Sequence, residues 1–175
     1  PNLERLAARG TLFAQAYCAS PGCNPSRAAI MTGFRPTTSG VYDNRDAWRK
    51  KIPLAVTLPQ YFEEQGYSTR GAGKIFHHGP AGADDPEIPS FQGFFSMKVL
   101  AEGRPFPMPK LREGAFSGFD WGPLSEPLTD EVTMDWALQR MQESYEGPRF
   151  LAVGLFHPHL PHFAPPAFFG GYPFS

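Results

Sequence analysis

The sequence predicts an α/β fold with a mostly parallel sheet flanked by helices. Segments typical of strands alternate with segments typical of helices along the chain, which is the order found in parallel sheets. Residues 150–156 are apolar throughout, as expected for a strand buried on both faces. Apolar residues make up 41% of the 175 residues, enough to build the core that such a fold needs.

The first third of the chain predicts a helix, a strand and a second helix. Asn2 is placed to cap a short helix that ends at Gly10. Residues 11–17 are rich in aromatic and β-compatible side chains and predict a strand. Residues 26–32 predict a helix that Gly33 ends.

A further helix, a strand and a last helix with its strand complete the prediction. Thr57 caps a helix over residues 58–65, and residues 67–72 predict a strand. Asp130 caps a helix that runs to about Glu143 and precedes the strand at residues 150–156. The apolar stripe of this last helix consists of Met134, Ala137, Leu138 and Met141.

Two regions of the chain predict no regular structure. Residues 80–127 contain many Pro and Gly residues and little periodicity, which predicts a long, mostly irregular excursion.

The chain opens at Pro1 without Met or a signal-like segment, and it stops in a loop-like stretch at residues 170–175. We therefore expect an internal piece of a longer protein.

Composition argues against several classes of protein. The net charge of −1 and the lack of a basic cluster argue against a nucleic-acid binder. The longest apolar run is far shorter than the roughly 20 residues of a membrane span. Two cysteines are too few for a disulfide framework.

Three loops are predicted to meet at one edge of the sheet. Ligands of parallel sheets bind beyond the carboxyl ends of the strands, and that rule selects residues 18–27, 73–79 and 157–162. These loops contain all five histidines and both cysteines of the chain. The sequence therefore predicts a chemical site at this edge.

Cys23 precedes a predicted helix start, where the helix dipole favours an anion, and Arg27 lies one turn further on. A thiolate phosphatase is excluded, because it needs Cys-x5-Arg, whereas Ala29 lies six positions after Cys23 and Asn24 six after Cys18. From the residues alone, a small buried cysteine in a turn remains an equal alternative.

The segment Cys23-Asn24-Pro25-Ser26-Arg27, continued by residues 28–33, resembles the signature of the type I sulfatases. Other blocks are similar to the iduronate-2-sulfatase branch of that family, in order along the chain: residues 1–10, 35–37, 41–43, 57–62, 66–67, 73–77, 119–123, 135–137 and 158–161. The resemblance implies an alkaline-phosphatase-like α/β fold. It also implies that residues 1–175 are part of a catalytic domain, with the excursion at about 80–127 as an insertion.

The resemblance implies a role for five residues. Cys23 is oxidised to formylglycine, whose hydrated form attacks sulfur with one hydroxyl and expels sulfate with the other. Arg27 holds this gem-diol, and Lys74 neutralises a sulfate oxygen and helps to orient the nucleophile. His77 accepts the gem-diol proton, and His159 contacts the sulfate or the leaving oxygen. Without the resemblance, Lys74 and His77 also fit a surface lysine beside a loop histidine, and His159 fits packing between prolines.

His157 departs from the family pattern, because the residue before Pro158 is often Lys in this branch. We expect His157 to contribute to substrate binding, with weaker attraction for an acidic sugar than a lysine has. Taken by itself, His157-x-His159-x-x-His162 also allows a zinc site, although the spacing is loose and no carboxylate lies nearby.

The resemblance also implies a calcium ion, with modified Cys23 as its only ligand from this chain and the remaining ligands outside it. The implied partners are a sulfated sugar or glycan and a formylglycine-generating enzyme. By analogy with the family, a lysosomal, periplasmic or extracellular location is expected.

The predicted function is removal of sulfate from a sulfated sugar or glycan. The alternatives are a phosphonate or phosphate ester hydrolase of the same superfamily, and a truncated or inactive binder of sulfated glycans.

Overall fold

The computed structural model describes residues 2–77, 90–95, 121–125, 127–160 and 162–171. Most of the excursion predicted at residues 80–127, together with His78, Asp84 and Asp85, lies outside the described residues. The helices are α1 (Asn2–Ala7), α2 (Cys23–Thr32), α3 (Pro36–Ser39), α4 (Trp48–Lys51), α5 (Leu58–Glu64) and α6 (Thr129–Gln142), followed by a short 3-10 helix (Pro166–Phe168). The strands are β1 (Ser68–Gly73), β2 (Gly93–Phe95), β3 (Trp121–Pro123), β4 (Arg149–Gly154) and β5 (His162–Ala164).

The described strands form two parallel sheets. The larger sheet has the order β2-β1-β4, with Arg70 of β1 opposite Gly93 on one side and Leu151 on the other. The smaller sheet pairs β3 with β5 and sets Trp121 opposite His162. The predicted α/β class with parallel strands is therefore confirmed. No helix of the described segments has the length and apolar character that crossing a membrane requires.

Local signals explain where two helices begin and end. Gly33 adopts φ 75° and its N–H donates to the Ala29 carbonyl at 2.8 Å, so α2 ends at the predicted glycine. This helix begins at Cys23, three residues before the predicted start. Helix α5 begins with the predicted cap at Thr57, whose backbone N–H donates to the Gln60 side chain at 2.8 Å.

The main core lies where α2 and α4 meet the chain that follows β1. The Trp48 and Phe76 rings stack with centroids 5.3 Å apart, and Ala28 and Met31 of α2 belong to the same buried cluster. Phe150 of β4 packs against this cluster. Burying these rings holds the start of α2 close to the carboxyl end of β1.

Two strand predictions were wrong. Residues 11–17 form no strand in the structure, and their large side chains, Leu12, Phe13 and Tyr17, are exposed. Strand β4 is half-buried rather than buried on both faces, with Val153 37% exposed. Among the described strands, β4 pairs only with β1, so it is the edge strand of the larger sheet. Residues 11–17 have no neighbouring strand among the described residues.

The predicted apolar stripe of α6 was wrong at three of its four positions. Ala137 is buried together with Thr133, whereas Met134, Leu138 and Met141 are exposed. The helix packs closely on β1, and a Cβ at Gly73 would lie 2.9 Å from the Thr133 methyl group. Small side chains allow this approach, so they face the sheet in place of the longer ones.

We expect Gly73→Ala to destabilise the protein by about 2–5 kcal/mol, which combines the cost of a left-handed residue with that of overpacking. Gly73 adopts φ 75°, and a Cβ there would lie 2.1 Å from the Gly154 carbonyl oxygen. Gly33→Ala is the matched control, since Gly33 has the same φ but no atom within 4 Å of its Cβ position. Urea unfolding of the full-length protein measures both variants, and an equal loss in the two would show that the close approach of β1 and β4 is unimportant.

Candidate active site

Cys23 occupies the first position of α2 and is half-buried, whereas Cys18 is exposed. The N–H groups at a helix start have no partners within the helix and carry partial positive charge. A nucleophile or an anionic group is therefore favoured at Cys23. The ten residues of α2 and its buried face give this position a rigid base.

The start of α2 is fixed by Asn24, which is only 1% exposed. Its side-chain amide donates to the carbonyls of Asp43 at 3.0 Å and Asp46 at 2.9 Å. Its backbone N–H donates to the Asn44 side chain at 2.9 Å. These bonds tie Cys23 to a loop 20 residues away, a restraint that no feature of the sequence indicated.

That loop is itself held by Asp46. The carboxylate accepts hydrogen bonds from the backbone N–H groups of Tyr42 at 2.8 Å and Asp43 at 2.9 Å, and it forms an ion pair with Lys51 at 2.8 Å. The bond to Lys51 and the two backbone bonds lower the pKa of Asp46 to about 2. Tyr42 is exposed and Trp48 is buried in the core, so Trp48 serves packing.

Arg27 connects α2 to the loop that follows β1. Its guanidinium donates to the Lys74 carbonyl and to the Ile75 carbonyl, the latter at 3.2 Å. Burial lowers the pKa of Arg27, while the nearby Cys23 acts in the opposite direction. Arg27 thus lies within electrostatic range of Cys23, and part of its hydrogen-bonding capacity holds Lys74 in place.

Lys74 follows β1 directly and is 5% exposed. Its ammonium nitrogen lies 4.5 Å from the centroid of the Phe156 ring, a cation–π contact. The pKa of Lys74 is lowered, mainly by burial and to a smaller extent by the positive charge of Arg27. Cys23 and Asp130 act in the opposite direction and raise this pKa. Cys23, Arg27 and Lys74 therefore lie within electrostatic range of one another, although the strand that was predicted to lead to Cys23 is not formed.

Asp130 was predicted to cap α6, and this was wrong. The helix begins at Thr129, and the N–H of Leu128 donates to the Glu131 carboxylate at 2.7 Å. The Asp130 carboxylate instead accepts the backbone N–H groups of Phe156 at 2.6 Å and His157 at 2.8 Å, and it bonds to His157 Nδ1 at 2.9 Å. An acidic residue at a helix start has the same sequence pattern in either role, so the sequence could not show this contact.

The other predicted histidines lie around this group. His159 is exposed, its ring is 4.8 Å from the Phe156 ring, and its Nδ1 lies 2.6 Å from the Leu160 carbonyl oxygen. Because a carbonyl oxygen can only accept, Nδ1 of His159 carries the proton. His77 is half-buried at the end of the loop that Lys74 begins.

No metal centre is formed by the described residues. Among them, no three or more His, Cys, Asp or Glu side chains are grouped so that they could hold an ion. All three histidines of the zinc alternative are described, and they form no such group. The expectation that no carboxylate lies nearby was wrong, because Asp130 contacts His157. Cys23 has the cations Arg27 and Lys74 as neighbours, and these residues by themselves do not suit calcium. Cys23 as a calcium ligand therefore stays a prediction.

A cavity of about 580 Å³ lies apart from these residues. Its lining includes Arg49, Gln60, Glu63, Phe91 and Gln92, and it contains none of the predicted site residues. Gln92 and Glu63 bond to each other across it at 3.2 Å. The chemistry-bearing residues are grouped at the sheet edge instead.

Comparison with known proteins gives consistent matches. A family model described as Sulfatase matches residues 1–175. A protein of Formosa agariphila named sulfatase is 38% identical over 99% of this chain, and human iduronate 2-sulfatase is 33% identical over 99% of it. The matched regions are 37% and 33% of those proteins, so this chain spans about a third of their length.

A solved structure shares the fold. The phosphonate monoester hydrolase of Agrobacterium radiobacter superposes with a TM-score of 0.64 over 96% of this chain and 38% of that chain, at 18% sequence identity. At this identity the likeness concerns the fold alone, and it confirms the predicted alkaline-phosphatase-like α/β architecture.

Proposed function

The chain belongs to the sulfatase family, and on that premise we propose that it carries part of the active site of a sulfuric ester hydrolase. The proposed substrate is a sulfated sugar or glycan, and the proposed nucleophile is a formylglycine made from Cys23. The sulfatase family generally uses a formylglycine and a divalent metal. In this proposal calcium would be the metal, it would supply positive charge for the sulfate group, and ligands outside this chain would complete its site.

The observation that carries the proposal is that Cys23 lies at a helix start, within electrostatic range of two cations. Arg27 and Lys74 both interact with it electrostatically, and the N–H groups of the first turn of α2 add partial positive charge. A sulfate ester brings negative charge to such a site, and more charge develops on the departing oxygen. Fixed positive groups in a partly buried site stabilise that charge without reorganising.

The neighbouring residues take the proposed roles that the resemblance to sulfatases implies. Lys74 is held close to the site by burial against Phe156, and it would neutralise a sulfate oxygen. His77 would accept the proton of the gem-diol. His159, whose Nδ1–H donates to a carbonyl, would contact the sulfate or the leaving oxygen through Nε2, and as an imidazolium it would donate a hydrogen bond to that oxygen. His157 would contact the sugar.

The sugar class is supported by the similarity to human iduronate 2-sulfatase, whose matched region includes all three loops. Sugars present hydroxyl groups, and imidazole nitrogens bind these by hydrogen bonds. The proposal includes a formylglycine-generating enzyme as the partner that modifies Cys23 during maturation.

Mass analysis of residue 23 tests the proposal. Trypsin releases residues 10–27 as one peptide, which contains both Cys18 and Cys23. In the full-length protein from its native host, we expect iodoacetamide to alkylate Cys18 only, and we expect the Cys23 aldehyde to weigh about 18 Da less than the thiol. The hydrated aldehyde has nearly the mass of the thiol, so mass alone does not separate these two forms. An aminooxy reagent should label the hydrated aldehyde and leave the thiol unlabelled. Two alkylated cysteines, from a host with an active maturation system, would contradict the proposal.

The reaction class is tested by comparing aryl sulfate and aryl phosphate esters as substrates of the same full-length protein. We expect a higher kcat/KM for the sulfate ester. Preference for a phosphate or phosphonate ester would favour the other hydrolase of the superfamily. Tight binding of sulfated glycan without turnover would identify an inactive binder.

A further inference from the structure

We propose that Asp130 is a positioning residue of the active site, which fixes the Nδ1–H form of His157 and the backbone at the carboxyl end of β4. The inference rests on the proposed function, because it takes the group around Lys74 and His159 to be where substrate binds. Asp130 lies outside the sequence blocks that resemble the sulfatases.

The hydrogen bonds of Asp130 determine the state of the His157 ring. Oδ1 of Asp130 accepts the N–H of Phe156 at 2.6 Å. Oδ2 accepts the N–H of His157 at 2.8 Å and lies 2.9 Å from His157 Nδ1. An ionised carboxylate can only accept hydrogen bonds. Nδ1 therefore carries the proton, and Nε2 is an acceptor whenever the ring is neutral.

The same carboxylate orders a second group through Phe156. The Phe156 backbone is bound to Asp130, and its ring contacts the Lys74 ammonium at 4.5 Å and the His159 ring at 4.8 Å. A shift of this backbone would move the surface against which both side chains pack. Asp130 thus affects the positions of Lys74 and His159 through Phe156 rather than through a hydrogen bond to either side chain.

Electrostatics link Asp130 to Lys74 directly. The negative charge of Asp130 favours the ammonium form of Lys74 and so opposes burial, which disfavours that form. A charged Lys74 is what the proposed binding of a sulfate oxygen needs. Replacing the carboxylate by a neutral amide removes this support.

Helix capping does not account for these contacts. A capping carboxylate accepts N–H groups of its own first turn, whereas the bonds described for Asp130 reach residues 26 and 27 positions later. Glu131 accepts the Leu128 N–H at the start of α6. The geometry joins the first turn of α6 to the loop beyond β4, on the side of the sheet where Lys74 lies.

The chemistry assigned to His157 follows from its fixed form. With Nδ1 bound to Asp130, a neutral His157 offers one acceptor and no ring donor to a substrate. It would therefore receive a hydrogen bond from a sugar hydroxyl, whereas a lysine at this position would donate to an acidic group. Asp130 thereby influences the substrate class through His157.

Asp130→Asn in the full-length protein tests the inference, because the amide keeps the shape of the side chain but can no longer accept all three bonds. We expect kcat/KM for an aryl sulfate to fall about 10–100-fold, as is typical when a group that orients a functional histidine is lost. We also expect the nitrogen-15 signals of the neutral His157 ring to change from the Nδ1–H to the Nε2–H form. These signals are assigned by their absence in His157→Gln.

Asp135→Asn is the matched control, since Asp135 is exposed on the same helix. It should leave both the rate and the ring signals unchanged. Asp130→Glu keeps the negative charge and should recover part of the activity that Asp130→Asn loses.

Three results would overturn the inference: an Nε2–H form of His157 in the wild-type full-length protein, an unchanged tautomer in Asp130→Asn, or a changed tautomer with the original kcat/KM. If Asp130→Asn does not fold, the first of these still decides. If the wild-type protein, with Cys23 converted to formylglycine, cleaves no sulfate ester, the proposed function fails, whereas the tautomer measurement still reports separately on the contact of Asp130 with His157.

Discussion

Cys23→Ser in the full-length protein is expected to release at most one equivalent of alcohol from an aryl sulfate and then to stop. A serine has a single hydroxyl, so after attack on sulfur it is left as a stable sulfate ester, whereas a gem-diol has a second hydroxyl that expels sulfate. The steady-state kcat should fall by about 10⁴-fold or more, as is usual when a nucleophile is lost. Rapid-mixing measurement of the aryl alcohol against the concentration of active sites checks this.

Cys18→Ser is the matched control, because Cys18 is exposed and lies five residues before Cys23. It should turn over at the original rate. Cys23→Ala should give neither a burst nor turnover. Sustained turnover by Cys23→Ser at a rate close to the original would show that residue 23 is not the nucleophile.

Lys74→Met is expected to lower kcat/KM for the same ester by about 10²–10³-fold, the usual cost of removing one preorganised charge at the reacting group. The free energy of unfolding of this variant should equal or exceed that of the wild type, since Lys74 is 5% exposed and burial disfavours its charged form. The buried charge of Lys74 therefore lowers the free energy of unfolding, and a role in the proposed reaction would explain why a lysine is present there. Kinetics and thermal unfolding of the full-length protein measure the two effects.

The pH dependence of this stability has a defined sign. Because the pKa of Lys74 is lowered from 10.5 on folding, the unfolded state binds more protons between the two values. The original protein should therefore gain stability relative to Lys74→Met as pH rises through that interval. Lys50→Met, which changes an exposed lysine, should alter neither kcat/KM nor stability. A large loss of stability in Lys74→Met with unchanged kcat/KM would assign Lys74 to the fold alone.

The sequence by itself was sufficient at two helix ends, where the signal is local. Gly33 ends α2 and Thr57 caps α5 because each position depends on residues within one helical turn. The carboxyl-end rule also selected residues 73–79 and 157–162, which follow the parallel strands β1 and β4. It selected residues 18–27 through a strand at residues 11–17 that the structure does not form. The roles of the five catalytic candidates remain predictions.

Only the tertiary structure decided the features that depend on distant partners. Residues 11–17 have the composition of a strand, but a strand forms only where a neighbour supplies hydrogen bonds. The stripe of α6 was misassigned because the close approach to Gly73 favours Thr133 and Ala137 over longer side chains. Asp130 and Asn24 bind backbone groups about 20 or more residues away. Hydrogen bonds over such separations arise from the packing of α2, α6 and the sheet, and no sequence pattern around either residue distinguishes them from ordinary helix starts.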